Sequence, residues 1–199
     1  MDQHSEIKKI FEQHGGIMRT AQLEKLGIHY RKMKKLLDNG EIEMVRRGYY
    51  QYVGEMSFSD IPTLVKLFPD GILCMESALD YYGYSERTPS AWHIAVDSKS
   101  SRRRFYIDYP CVKPHFILTE RLFVGVDRVE IDGVEVPIYN RDRTICDCLL
   151  HRNKIDAEVF NSAVHCYLQD EKKNKSQLAE YAKLLRVEKK VREVLGAWL

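Results

Sequence analysis

Six cations fall into two short groups near the start of the chain: Arg31, Lys32, Lys34 and Lys35, then Arg46 and Arg47. Arginine offers a planar, bidentate fork that matches guanine edges and phosphates, whereas lysine is a point charge suited to phosphates. Arg31 is therefore the candidate base reader, and Lys32, Lys34 and Lys35 are candidates for backbone contact. Arg46 and Arg47 stand where the tip of a hairpin would touch backbone or an adjacent minor groove. A Lys/Arg-rich outer face is equally the ordinary solvated side of a helix, so both readings stay open on composition alone.

Other chemistry-bearing residues lie further along. Lys99-Ser100-Ser101-Arg102-Arg103-Arg104 is a basic loop, read first as a solvated turn and second as a phosphate-contacting surface. Arg143 and Asp147 are four apart and can pair along one helix, as a brace near a helix start or as part of a functional surface. Cys146, Cys148, His151, His165 and Cys166 cluster in sequence, but zinc sites prefer cysteines two to four apart with a matching histidine spacing. No metal and no cofactor is assigned. A nuclease would need clustered carboxylates and a lysine on a strand; Asp108, Glu130, Asp132 and Glu135 occur without a strand that carries Glu-x-Lys. There is also no phosphate-binding glycine loop and no serine in a nucleophile-elbow setting. No catalytic residue is assigned, and the chain is read as non-enzymatic.

Charge is uneven along the chain. Residues 1–54 hold 10 Lys/Arg against 7 Asp/Glu, residues 55–170 hold 13 against 18, and residues 171–199 hold 8 against 4. Basic ends thus flank an acidic middle, and a polyanion suits either end better than the middle. The five cysteines form no CxxC and read as reduced, mostly buried thiols. There is no secretion-signal pattern and no membrane-length apolar run, which points to a cytoplasmic protein without membrane contact.

The elements that must position the first cations can be read from periodicity. Ile7, Ile10, Phe11 and His14 make an amphipathic stripe, with Ser5 as its cap and Gly15-Gly16 as its end. Ile17-Met18-Arg19 is a bridging strand. Thr20 is expected to cap a second helix, with Leu23 and Leu26 inward and Gly27 as its stop. The tight Gly27-Ile28 turn leads to a third helix over His29 to Asn39, with Met33, Leu36 and Leu37 facing the core and Tyr30 at the edge. Arg31, Lys32, Lys34 and Lys35 fall on the other side. Residues 41–53 then read as a hairpin with Arg46 and Arg47 at its tip, in which Ile42, Met44 and Arg46 alternate with Glu43 and Val45. Three short helices and a hairpin are the parts of a winged helix-turn-helix. Thr20, His29 and Tyr30, at the starts of the second and third helices, complete the candidate duplex-contacting set.

After a linker over Glu55 to Ser59, short strands precede helices, which makes the remainder a mixed α+β domain ending in a helical segment. Asp60 is expected to cap a helix through Leu67, with strands at Trp92–Val96, Phe105–Tyr109 and Lys113–Leu118. A hairpin turns at Asp132-Gly133, and helices open near Asn140, Asp156, Ser176 and Val187. The expected domains are residues 1–54 and 60–199, and the fold class is α+β.

The stretch Gly15-Gly16-Ile17-Met18-Arg19-Thr20-Ala21-Gln22-Leu23, followed by Leu26-Gly27-Ile28 and by Val45-Arg46-Arg47-Gly48-Tyr49-Tyr50, resembles the N-terminal domain of the AbiEi antitoxin family of type IV (abortive infection) toxin–antitoxin systems. Glu76-Ser77-Ala78-Leu79, Tyr82-Gly83-Tyr84 and Arg143-Thr144-Ile145-Cys146-Asp147 resemble later segments of that family. One departure is His29, where the family often has a Ser or Thr cap. The resemblance implies a repressor and antitoxin. Its winged helix would bind inverted repeats in its own promoter, and its second domain would counter a nucleotidyltransferase-like toxin without a stable complex. Independently of the resemblance, the sequence shows no coiled coil or obvious dimer seam, and a monomer or weak dimer is expected. The alternative is a nuclease-like or RNA-directed enzyme targeted by its winged helix.

Overall fold

The computed structural model describes residues 3–54 and 59–196. The chain divides into two compact units, Met1–Pro69 with Tyr106–Pro110, and Asp70–Phe105 with Cys111–Leu199. The linker expected over residues 55–59 lies, apart from Ser59, outside the described residues.

The first unit runs α1 (Gln3–Gln13), β1 (Ile17–Arg19), α2 (Thr20–Lys25), α3 (Tyr30–Asp38), β2 (Ile42–Arg46), β3 (Tyr49–Tyr52) and α4 (Asp60–Leu67). Its three strands form an antiparallel sheet in the order β1-β3-β2. Ile7 and Phe11 of α1 are buried with Met18, Leu23, Ile28, Met33, Leu36, Ile42 and Tyr52 in one apolar core. Each such side chain contributes about 1.5–3 kcal/mol on burial.

Three local readings need correction. α1 already includes Ser5, so that residue is not its cap. Arg19 rather than Thr20 precedes α2, and its backbone N–H donates to Gln22 Oε1 at 2.9 Å. Leu26 is 47% exposed. α2 stops one residue before it, Gly27 turns the chain at φ +76°, and the Ile28 N–H returns to the Leu23 carbonyl at 2.9 Å. That left-handed stop rotates Leu26 outward and puts Ile28 into the core instead.

The cap of α4 is Ser59, whose Oγ accepts from the Ile61 N–H at 3.2 Å, so Asp60 is the first helical residue. Sequence patterning groups this helix with the second domain, yet it packs on β1 of the first unit. Lys66 fixes it there: its ammonium donates to the carbonyls of His14 and, at 3.1 Å, Ile17. These carbonyls lie just past α1 and at the start of β1. Burial holds the Lys66 pKa below its ordinary value.

The second unit contains β4 (Ile72–Leu73), α5 (Met75–Tyr81), β5 (Trp92–Asp97), β6 (Val112–Ile117), α6 (Thr119–Leu122), β7 (Val126–Ile131), β8 (Val134–Tyr139), α7 (Arg141–Leu150), α8 (Ala157–Gln169), α9 (Lys175–Leu185) and α10 (Glu188–Val194). Its five strands are ordered β6-β5-β4-β8-β7, parallel at β5–β6 and β4–β8 and antiparallel at β4–β5 and β7–β8. Together the two units make an α+β protein. The β7–β8 turn uses Asp132 and Gly133 at φ +52° and +75°, the positive pair a two-residue hairpin turn requires. α7 is buried from Asp142 to Leu149 and packs against α5, α8, α9 and α10.

The strand expected at Phe105–Tyr109 is absent. Arg102–Phe105 is a 3-10 turn, and Phe105 packs edge-on against Phe116 with ring centroids 5.7 Å apart. Tyr106, Asp108 and Tyr109 are exposed, so the segment has no buried face to alternate with. Among the described residues no helix is long and apolar enough to cross a membrane.

Candidate nucleic-acid interface

α3 buries Met33 and Leu36, with Leu37 half-buried, against the core of the first unit. At about 100° per residue, the fully buried Met33 and Leu36 define one side of the helix, and Arg31, Lys34 and Lys35 fall within about 50° of the opposite direction. All three are exposed, and none has an ion-pair partner among the described residues. Lys32 departs from the expected grouping: it lies on the flank and is half-buried. His29 occupies the N-cap position without a side-chain cap bond, and Tyr30 is 72% exposed at the first turn. The start of α3 therefore presents His29, Tyr30 and Arg31 to solvent, the end from which a recognition helix reads base edges.

The β2–β3 hairpin supplies the wing. Arg47 is exposed at its tip, beside Gly48 at φ +81°, and Arg46 is half-buried. A register shift between Met44 and Arg46 breaks the expected alternation and leaves Met44 56% exposed. Bulges of this kind re-aim the following side chain. Thr20 ties the wing to α2: its N–H and its Oγ both donate to the Gly48 carbonyl, at 3.0 and 3.4 Å. This candidate contact residue is thus engaged in holding the wing.

Two residues of this region, Arg19 and Tyr49, carry no signal in periodicity alone. Arg19, at the end of β1, and Arg46, in β2, are both register partners of Tyr49 in the central strand β3. Their guanidinium carbons lie 5.0 and 4.6 Å from the Tyr49 ring centroid. The signal that could find them is cross-strand pairing, which needs the register of all three strands.

The second candidate surface is only partly a surface. Arg102 and Arg103 are exposed, with Arg102 over the Phe116 ring at 4.4 Å. Arg104 is half-buried and clamps Asp70 through both terminal nitrogens, one of them at 2.8 Å. Arg143 and Asp147 are not on the surface at all; they are 0% and 4% exposed. The Arg143 Nε donates to both Asp147 oxygens at 3.2 Å, and its Nη1 donates to the Arg121 and Val124 carbonyls at 2.9 and 2.7 Å. Its guanidinium also lies over the Tyr139 ring at 4.1 Å. Burial pushes the Asp147 carboxyl up to about 6 against the pull of Arg143. The pair braces α7 to the loops around α6, which is the structural reading of that spacing.

Cys146 and Cys148 are buried in the core of the second unit, and burial pushes the Cys146 thiol up to about 12. His165 is exposed, and no group of three His, Cys, Asp or Glu among the described residues is arranged to hold a metal. Glu130 and Glu135 face each other across β7–β8, where Glu135 accepts from Arg128 at 2.6 Å. Asp132 sits in the turn.

A tight turn between α2 and α3, followed by a hairpin, defines the first unit as a winged helix-turn-helix. Residues 5–53 match the family model described as "Transcriptional regulator, AbiEi antitoxin", which covers α2, α3 and the wing and agrees with the resemblance read from the sequence. The chain is similar in fold to the crystal structure of the RV2827C protein from Mycobacterium tuberculosis. That likeness has a TM-score of 0.67 and 12% identity over 89% of this chain and 69% of that one. No curated protein matches the chain.

Proposed function

We propose that this protein is a DNA-binding repressor and antitoxin. It inserts α3 into the major groove of its own promoter and counters a nucleotidyltransferase-like toxin without catalysis of its own. The observation that carries the DNA-binding half is the outer face of α3. Arg31, Lys34 and Lys35 stand exposed and without carboxylate partners on an element whose other side is core. Solvent-facing cations on a short helix that follows a tight helix-helix turn suit a duplex, with Arg31 nearest the bases and the lysines on phosphates. Arg47 at the wing tip extends the contact along the backbone. The match of residues 5–53 to an antitoxin regulator family supports the second half. Binding to paired repeats as two monomers or a weak dimer, in the cytoplasm, follows from the same reading.

The test is a salt-titrated gel shift on the DNA upstream of its own gene. The parent is expected to bind with an affinity that falls steeply as salt rises, and Arg31→Ala with Arg47→Ala is expected to lose the specific complex. Retained binding by that double variant would sink the assignment. The antitoxin half is tested by co-expression with a nucleotidyltransferase-like protein encoded beside it, with growth as the readout.

A further inference from the structure

Arg19, Tyr49 and Arg46 occupy one row across the three-stranded sheet of the first unit. Arg19 of β1 and, across the bulge, Arg46 of β2 are both register partners of Tyr49 in the central strand β3, and both guanidiniums approach its ring. Both lie within 5.0 Å of its centroid. No carboxylate pairs with either arginine among the described residues. Two like charges held on one ring repel each other, and an anion between them relieves that repulsion. The cleft next to the row, about 450 Å³, points the same way. It is lined by Arg19, Tyr49, Gln22 and Lys66 among others, and its charged lining residues are cations only.

We propose that Arg19 and Arg46, positioned by the Tyr49 ring, form a clamp for the phosphodiester backbone of duplex DNA beside the wing. This rests on the reading of the first unit as a duplex binder and adds Arg19 as a contacting residue and Tyr49 as a positioning residue. The ring's attraction for cations orients both forks before DNA arrives, so less side-chain freedom is lost on binding. The bond from the Arg19 N–H to Gln22 and those from Thr20 to Gly48 fix the backbone on both sides of the row.

The experiment measures the slope of log affinity against log salt for the full chain on a random-sequence duplex of about 30 base pairs, roughly three helical turns. Each phosphate contact contributes about 0.9 to that slope. Arg19→Gln and Arg46→Gln are each expected to reduce it by about 0.9, Tyr49→Leu by about 0.9 to 1.8, and Tyr49→Phe, which keeps the ring, by nothing. A ring that served only packing would lower melting temperature in Tyr49→Leu and leave the slope intact, and that result overturns the positioning role. Parental slopes in both arginine variants overturn the clamp while leaving the α3 reading standing, and they decide the matter if Tyr49→Leu does not fold. A parent with no measurable duplex binding sinks the α3 reading and the clamp together.

Discussion

Arg143 and Asp147 form a fully enclosed ion pair one helical turn apart, with the Arg143 Nε 3.2 Å from each carboxylate oxygen. Leaving one partner alone in such a site exposes a buried charge to a low dielectric, which costs about 3–5 kcal/mol. Asp147→Asn or Arg143→Met is therefore expected to lower unfolding free energy by about that amount in a denaturant titration. The double variant, which removes both charges, should recover part of the loss. Gly125 adds a steric check: a Cβ there would lie 2.7 Å from the Arg143 Cβ, so Gly125→Ala should destabilise the same region. A fully stable Asp147→Asn that loses only antitoxin activity would show that the buried pair serves function rather than stability.

The wing is expected to depend on Thr20. Its two bonds to the Gly48 carbonyl leave no other tie from α2 to the hairpin turn among the hydrogen bonds of the described residues. Thr20→Val keeps the shape and the N–H but removes the hydroxyl, at a cost of about 0.5–1.5 kcal/mol. Gly48→Ala forces a Cβ into φ +81°, worth about 1–2 kcal/mol of strain. Both should weaken duplex binding more than an equally destabilising change in the core of the second unit. Equal effects on binding and stability, with no excess at the wing, would remove Thr20 from the interface.

Much of the first unit was legible because its chemistry is local. Gly27, Asn39-Gly40 and Arg47-Gly48 punctuate it, and Met33 and Leu36 repeat at helical spacing, so α3 and the wing could be drawn from sequence. Leu26 and Lys32 were misassigned by the same periodicity. A left-handed stop rotates the first outward, and a helix of nine residues has too narrow an apolar side to fix the second. Arg19 and Tyr49 could not be paired without the register of three strands. The buried Arg143–Asp147 pair is visible in sequence as a spacing. Its burial depends on the Arg121 and Val124 carbonyls, supplied from about 20 residues upstream. Leu26→Gln should accordingly shift stability by no more than about 0.5 kcal/mol, against about 2–5 kcal/mol for Leu23→Ala.

Acid sensitivity should trace to His93 and His115. His115 Nε2 lies 3.2 Å from His93 Nδ1 in the paired strands β5 and β6, and burial depresses both pKa values, to about 3 and about 4. A histidine depressed on folding takes up its proton more readily when unfolded. Its stabilising effect is therefore complete above about pH 6.5 and is lost as pH falls toward 4, at up to about 1.4 kcal/mol per pH unit for each proton. Asp147, raised to about 6, acts in the opposite direction over most of that window, from about pH 6 down to about pH 4, since its folded form holds the proton more tightly. The difference between parent and His93→Gln isolates the histidine effect: the variant should show a shallower loss of stability between pH 6.5 and 4. Parallel curves would mean that His93 titrates normally.

The flank position of Lys32 makes the α3 reading sharper than a count of cations would. If the helix meets DNA with the side opposite Met33 and Leu36, Lys34 and Lys35 reach phosphates while Lys32, half-buried against the body of the unit, reaches less well. Lys35→Ala should then reduce the salt slope by about 0.9, the value of one phosphate contact, and Lys32→Ala by clearly less. Arg31→Ala should differ in kind. A bidentate arginine on guanine adds about 1–3 kcal/mol of discrimination, so its loss should cut the preference for promoter over random duplex while barely changing the slope. A non-specific helix face would give three equal slope changes and no loss of preference. A helix presented through its flank would invert the order of the two lysines, with Lys32 the costly one.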